Sequence, residues 1–272
     1  MPIENKAIVI VAPNGARKSK KDHAQLPVNA EQVAADALLN QAAGATMIHA
    51  HARDDEGGHS LDIKQNRQLY DALRETVGDD IVIQLTTEAV GIYEPEQQMA
   101  LIKEIQPEAA SFALKELISS DAELDRARDF FHWVAGQGII AQYILYSAEE
   151  VIRYHQLKQQ GVLPANKHHL LFVLGRYTDG QQSQPSDLLP FIIEHKDDTP
   201  WAVCAFGRDE HQCVSAALSL GGDVRVGFEN NLYNLHGQLA YNNAVLVKQA
   251  VDSANDMGRE VMSAAQFRAF FA

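Results

Sequence analysis

Eight short apolar runs, separated by stretches with a different rhythm, constrain this chain more than any other feature. The runs cover residues 7–12, 47–51, 81–86, 109–114, 139–145, 170–174, 201–206 and 224–229. Each is rich in Val, Ile, Leu or Ala and too short for a buried helix, so each reads as a strand covered on both faces. Between them, residues 30–42, 63–77, 94–105 and 123–135 space their apolar side chains by three and four, as amphipathic helices do. Asn29 before Glu31-Gln32 and Ser147 before Glu149-Glu150 supply helix-start signals. Strands joined through helices run parallel. Eight such units in 272 residues predict an α/β fold, a closed (β/α)8 TIM barrel, as a single domain over residues 1–272. The runner-up is an open doubly wound sheet, but no Gly-x-Gly-x-x-Gly follows the first run. Residues 252–272 are expected to add an extra C-terminal helix, with Ser263-Ala264-Ala265-Gln266 as a capping box.

Composition narrows the partners. A formal net charge of -13 opposes nucleic acid and anionic membrane surfaces, though a local basic pocket can still take an anionic small molecule. No apolar run is long enough to span a bilayer, and Met1-Pro2-Ile3-Glu4-Asn5-Lys6 does not read as a signal peptide. A cytoplasmic protein is expected. Cys204 in a strand-like run and Cys213 in a helical one read as buried thiols, not as a disulfide.

In such a barrel, sites form where the C-terminal ends of the strands converge. At the end of the second run, His49 and His51 stand two residues apart and so face one way. Two imidazoles at that spacing can grip one divalent metal. On the eighth run Arg225 and Glu229 share a face, and that strand closes beside the first, with the second just beyond. Glu229 can therefore join His49 and His51, leaving coordination positions open for water or substrate. Zinc suits these ligands, and other divalent metals would also be accepted. Arg225 can hold Glu229, orient a substrate carboxylate, or tie the barrel floor as a structural ion pair. Thr86 and Thr87 offer hydroxyls at the mouth. The other nine histidines read as loop or surface residues, with His168-His169 at the opposite rim.

Five segments then carry a family resemblance in order: Ile48-His49-Ala50-His51-Ala52-Arg53, Ile83-Gln84-Leu85-Thr86-Thr87, Phe172-Val173-Leu174-Gly175, Trp201-Ala202-Val203 and Val224-Arg225-Val226-Gly227-Phe228-Glu229-Asn230-Asn231. The chain resembles the β-keto acid cleavage enzymes, the family of 3-keto-5-aminohexanoate cleavage enzyme, over nearly its whole length. The resemblance implies a zinc-dependent barrel, usually a homotetramer. It implies that a β-keto acid and acetyl-CoA, the co-substrate, give acetoacetate and a new acyl-CoA. Carried over, His49, His51 and Glu229 hold Zn2+, Thr86 and Ser111 meet the substrate's carboxylate end, and Arg225 lies beside the reacting centre. Zinc would polarise the keto group and stabilise an enolate.

Three positions depart from the family pattern. Asn230 replaces an Asp, and Ala141-Gln142-Tyr143-Ile144 replaces a Pro-Glu-x-Glu. The acids that would assist a general base are absent together, and an amide takes no proton at neutral pH. Asn230 is left to fix Arg225 or a substrate oxygen by hydrogen bonds. Arg17 stands where the founding enzyme has a Glu facing an amine. An anionic or neutral polar substrate end is expected to meet Arg17. Alternatively, Arg17 is a solvated member of a basic loop with Lys18, Lys20 and Lys21, or meets CoA phosphates. Two rival readings are a metal-dependent hydrolase of the amidohydrolase type and a homologue that binds metal and ligand without turnover.

Overall fold

The computed structural model describes residues 5–272; residues 1–4, part of the start read above for a leader, lie outside the described residues. Eight strands form: β1 (Val9–Val11), β2 (Met47–Ala50), β3 (Val82–Leu85), β4 (Ala109–Ala113), β5 (Ile140–Leu145), β6 (His169–Leu174), β7 (Trp201–Ala205) and β8 (Asp223–Val226). Each pairs in parallel with the next, and β8 pairs with β1 through Val9↔Val224 and Val11↔Val226, closing the barrel. The helices are α1 (Ala30–Ala42), α2 (Ile63–Val77), α3 (Pro95–Ile105), α4 (Leu114–Leu117), α5 (Leu124–Gly136), α6 (Ala148–Gln159), α7 (Leu189–Glu194), α8 (Glu210–Ser219), α9 (Asn243–Asp256) and α10 (Ala264–Phe271). Asn29 caps α1 and Ser147 caps α6 through their side-chain oxygens, as the start signals predict. Among the described residues, no helix is long and apolar enough to cross a membrane.

Strand alternation sorts the core into two layers. Val9, Val11, Ile48, Ile83, Phe112 and Tyr143 face the helices. Ile10, Met47, Val82, Ala109, Leu171 and Ala202 face the barrel interior with Met262, Phe267 and Phe271. Helix α10 thus brings Phe267 and Phe271 against the lower end of the barrel, where both rings meet His169.

Three expectations are corrected. Residues 252–272 are not one helix: the chain leaves α9 after Asp256 and restarts under Ser263, whose capping box with Gln266 does form. Arg259 holds the link extended by donating to the carbonyls of Lys6 (2.9 Å), Leu218 (2.9 Å) and Gly222 (2.6 Å). Strand β8 ends at Val226, short of Glu229. Gly227 turns there at φ +133°, and a Cβ on it would lie 2.4 Å from the Ala12 carbonyl oxygen. Finally, His23, His59, His168 and His169 are buried, not surface residues. Each has found a partner inside the fold; His23, for one, contacts the Ala240 carbonyl at 2.8 Å.

Candidate active site

His49, on β2, and His51, just past its end, project into the barrel mouth as the alternation requires. Their Nε2 atoms lie 3.0 Å apart. Glu229 Oε2 lies 3.7 Å from His49 Nε2 and 3.4 Å from His51 Nε2. Ligand atoms around one tetrahedral zinc, at ~2.0–2.1 Å from it, stand about 3.3 Å apart. The described residues thus bring His49, His51 and Glu229 together as a candidate metal-binding trio.

Hydrogen bonds aim the lone pairs inward. His49 Nδ1 faces Gln84 Oε1 at 2.7 Å, an acceptor, so Nδ1 carries the proton and Nε2 a lone pair. His51 Nδ1 faces His59 Nδ1 at 3.4 Å, and His59 Nε2 donates to the Glu88 carbonyl at 2.8 Å. His59 Nδ1 must then accept, which leaves His51 Nε2 bare as well. Glu229 Oε2 is buried with no partner. Two lone pairs and an unpaired carboxylate oxygen facing one point need a cation between them. The residues therefore fit the metal that the family resemblance implies. Burial, with Arg225 nearby, holds the His49 imidazolium well below its usual range, keeping the ring neutral for a ligand. Burial pushes the Glu229 carboxyl upward, but its neighbours, Arg225 foremost, together outweigh that and hold the group well below the usual carboxylate range. Arg225 donates to Glu229 Oε1 at 3.0 Å, leaving Oε2 free.

The turn after β8 carries Glu229 into place by closing over β1. Asn230 N and Asn231 N both donate to the Gly227 carbonyl, at 2.8 and 3.0 Å. Gly15 leaves room for the carboxylate, since a Cβ there would lie 2.5 Å from Glu229 Cγ. Arg53 pins that β1 loop through the carbonyls of Asn14, Gly15 and Lys18.

Above the trio lies a narrow cleft lined by the polar Thr86, Ser111 and Arg225 and the apolar Ile144, Val173 and Phe206. The predicted hydroxyls differ in availability. Ser111 Oγ is buried without a partner. Thr86 Oγ1 accepts from Glu88 N at 3.0 Å, which leaves its proton to give. Thr87 is already engaged, donating to the Ser111 carbonyl at 2.8 Å. Arg17 is exposed and does not line this cleft; it lines an adjoining one with Lys18, Asp22 and Arg176. Glu88, Arg176 and Phe206 line both clefts.

Asn230 lies behind the site. Its Nδ2 donates to the Arg225 carbonyl at 3.0 Å and its Oδ1 lies 3.5 Å from Arg225 Nη2. The same Nδ2 meets Glu210 Oε1 at 3.4 Å, and Asn231 Nδ2 donates to Glu210 Oε2 at 3.1 Å. Burial pushes the Glu210 carboxyl up to about 8. An Asp at 230 would have no N–H to give Glu210 or the Arg225 carbonyl and would set a second acidic group against Glu210. The amide that departs from the family pattern is therefore what a buried Glu210 requires.

The sequence reading passed over Glu88, Arg176, His59 and Gln84. Glu88 directly follows Thr86-Thr87 and Arg176 lies two residues past the sixth run, so position alone is their signal. His59 arrives on a loop that folds back through an Arg53↔His59 bridge, which no periodicity announces.

A second trio, His155, His195 and Asp197, lies near the opposite rim. There Lys158 already neutralises Asp197 at 2.7 Å, and His155 Nε2 accepts from Lys196 N at 3.3 Å, turning a protonated Nδ1 toward Asp197. Of the two rings only His195 keeps a bare lone pair, at Nδ1, because its Nε2 donates to the Thr199 carbonyl at 2.9 Å; with His155 and Asp197 already engaged, the lower trio lacks the convergent set found at the mouth. At the mouth, β5 and β6 contribute no further histidine, since His169 opens β6 at the lower end. Among the described residues, β5 and β6 therefore add no imidazole to the trio, where a metal-dependent hydrolase of the amidohydrolase type would draw further histidines from its fifth and sixth strands.

A family model described as beta-keto acid cleavage enzyme matches residues 6–272. The chain belongs to the β-keto acid cleavage enzyme family. It is 29% identical to a 3-keto-5-aminohexanoate cleavage enzyme of Fusobacterium nucleatum over 262 residues, covering 94% of each chain. It is 25% identical to a 3-oxoadipate:acetyl-CoA acetyltransferase of Cupriavidus necator, covering 96% of this chain and 93% of that one. Among solved structures, a ternary complex of ObcA with C4-CoA adduct and oxalate matches at TM-score 0.75 and 16% identity, covering 91% of this chain and 67% of that one. At that identity the match speaks to the fold of this β-keto acid cleavage enzyme family member alone.

Proposed function

We propose that this enzyme condenses a β-keto acid with acetyl-CoA, yielding acetoacetate and a new acyl-CoA, in the cleft above His49, His51 and Glu229. One observation carries the reading most: two bare imidazole nitrogens and an unpaired carboxylate oxygen converge beneath an unpartnered Ser111 hydroxyl. Relatives bearing acetyl-CoA in their names support the co-substrate, among them a 3-dehydrocarnitine:acetyl-CoA trimethylamine transferase of Rhizobium meliloti at 25% identity.

His49, His51 and Glu229 would hold a divalent metal, zinc being the best match to two nitrogens and an oxygen. When bound, such an ion supplies Lewis-acid polarisation of the substrate's keto group. The protein's residues do the rest. Ser111 Oγ and the Thr86 hydroxyl receive the substrate carboxylate. Arg225, buried and charged, holds Glu229 and adds positive potential where negative charge develops. Asn230 acts through Arg225 by fixing its position. Ile144 cannot accept a proton, so Glu88, the carboxylate that lines the cleft beside Glu229, is our assignment for the proton acceptor. Ile144, Val173 and Phe206 exclude water from that step. Arg17 would meet an anionic or neutral polar far end of the keto acid through the adjoining cleft.

Metal-analysed protein incubated with acetyl-CoA and a panel of β-keto acids tests this. Acetoacetate and a matching acyl-CoA, both identified by mass spectrometry, are expected from at least one substrate. Hydrolysis without CoA would favour the amidohydrolase reading. Ligand binding without any product would leave a binding protein.

A further inference from the structure

A line of buried polar side chains crosses the barrel interior from the lower end to His49. Asp223, His169, Gln142, Gln84 and His49 are each no more than 5% exposed. At the lower end, Asp223 Oδ1 accepts from Ile8 N at 2.7 Å, with the Arg259 guanidinium 3.8 Å away. Asp223 Oδ2 lies 3.2 Å from His169 Nε2. His169 Nδ1 lies 2.7 Å from Gln142 Nε2. Gln142 Oε1 accepts from Gln84 Nε2 at 3.3 Å, and Gln84 Oε1 faces His49 Nδ1 at 2.7 Å.

The chemistry of the first member fixes the direction of every link. A carboxylate only accepts, so His169 Nε2 donates. At the other ring nitrogen, Nδ1 faces the Gln142 amide nitrogen and so accepts its proton with a lone pair. Gln142 must turn its oxygen to Gln84, and Gln84 its oxygen to His49. His49 is left with its proton on Nδ1 and its lone pair on Nε2, facing His51 and Glu229. A strand register sets up part of the line, pairing Gln142 with His169 across β5 and β6. Gln142 departs from the family's acidic pattern at this position. A carboxylate there would offer His169 Nδ1 no proton and would break the direction.

We propose that Gln84, Gln142, His169 and Asp223 are positioning residues that set the tautomer of His49 and so aim its Nε2 at the metal. This rests on the reading of His49 as a metal ligand, but the tautomer can be observed without metal. Aligned hydrogen bonds in a dry interior also polarise one another, strengthening the far end of the line.

The test is 15N NMR of the imidazole rings in metal-free protein, paired with zinc titration. Wild type is expected to show His49 protonated at Nδ1 alone. Gln142→Met should give mixed His49 tautomers and weaken zinc binding roughly tenfold. Asn40→Leu, a buried amide held by Asp36 away from the line, controls for stability alone: its melting point should fall with the tautomer unchanged. Asp223→Asn, which removes the acceptor-only end, provides a second break should Gln142→Met fail to fold. A wild-type His49 protonated at Nε2 would overturn the proposal. So would a folded Gln142→Met or Asp223→Asn protein with an unchanged tautomer and zinc affinity. Failure of wild type to bind zinc at all would instead remove the reading of the site, while the tautomer result still decides this inference.

Discussion

At the barrel mouth, His49, His51 and Glu229 turn bare nitrogens and an unpaired oxygen toward one point. At the opposite rim, His155, His195 and Asp197 bring two imidazoles and a carboxylate together as well, yet Lys158 holds Asp197 and Lys196 N occupies the Nε2 lone pair of His155, leaving only His195 Nδ1 bare. The side chains that surround each cluster make the difference. Gln84 and His59 take the Nδ1 protons of the upper pair. Below, the Thr199 carbonyl takes the Nε2 proton of His195 alone, while Lys196 N takes up the lone pair of His155. Residue identity proposes a metal site, and the outer hydrogen bonds decide whether the lone pairs are free.

The largest effect should come from breaking the upper cluster. Glu229→Gln or His49→Ala is expected to abolish tight zinc binding and lower acetoacetate formation by roughly 10³-fold, since the charge-stabilising centre is lost. His155→Ala with His195→Ala should leave both quantities at wild-type values. Metal analysis beside steady-state assays checks the pair.

Asn230→Asp comes next. Setting a carboxylate against Glu210 should cost about 2 kcal/mol in urea unfolding. Adding Glu210→Gln should recover most of it, which a merely crowded site would not allow. Glu210 also predicts a pH dependence. Its carboxyl rises from 4.5 to about 8 on folding, so the folded state binds its proton more tightly. That contribution to stability is complete below about pH 4.5 and is lost as pH rises through 8. Melting points measured from pH 6.5 to 9 should fall more steeply for wild type than for Glu210→Gln.

Ser111→Ala should raise KM for the keto acid roughly tenfold, as expected for one hydrogen bond to a charged group. Thr87→Ser, which keeps the bond to the Ser111 carbonyl, should change it little. The smallest effect belongs to the lower cluster: Lys158→Ala removes a half-exposed ion pair with Asp197 and should cost less than about 1 kcal/mol.

Much of this was legible in the sequence. Eight apolar runs gave the closed barrel because each strand must be covered on both faces. His49 and His51 were legible because a strand alternates. Glu229 was chosen for the same reason and reaches the site by another route, a turn opened by Gly227 after β8 has ended. Sequence spacing could not distinguish the two, since both place residue 229 near residue 225. The line from Asp223 to His49 was not legible. Its members sit on five strands, and only closure of the barrel brings Gln84 across to Gln142. His59 and Glu88 escaped because loops, unlike strands and helices, impose no spacing on what they carry.

Anomalous diffraction from crystals soaked in a zinc solution tests the central claim most directly. The account predicts one strong peak within coordination distance of His49 Nε2, His51 Nε2 and Glu229 Oε2, and none between His155 and His195. An empty mouth, or a peak confined to the lower rim, would contradict it.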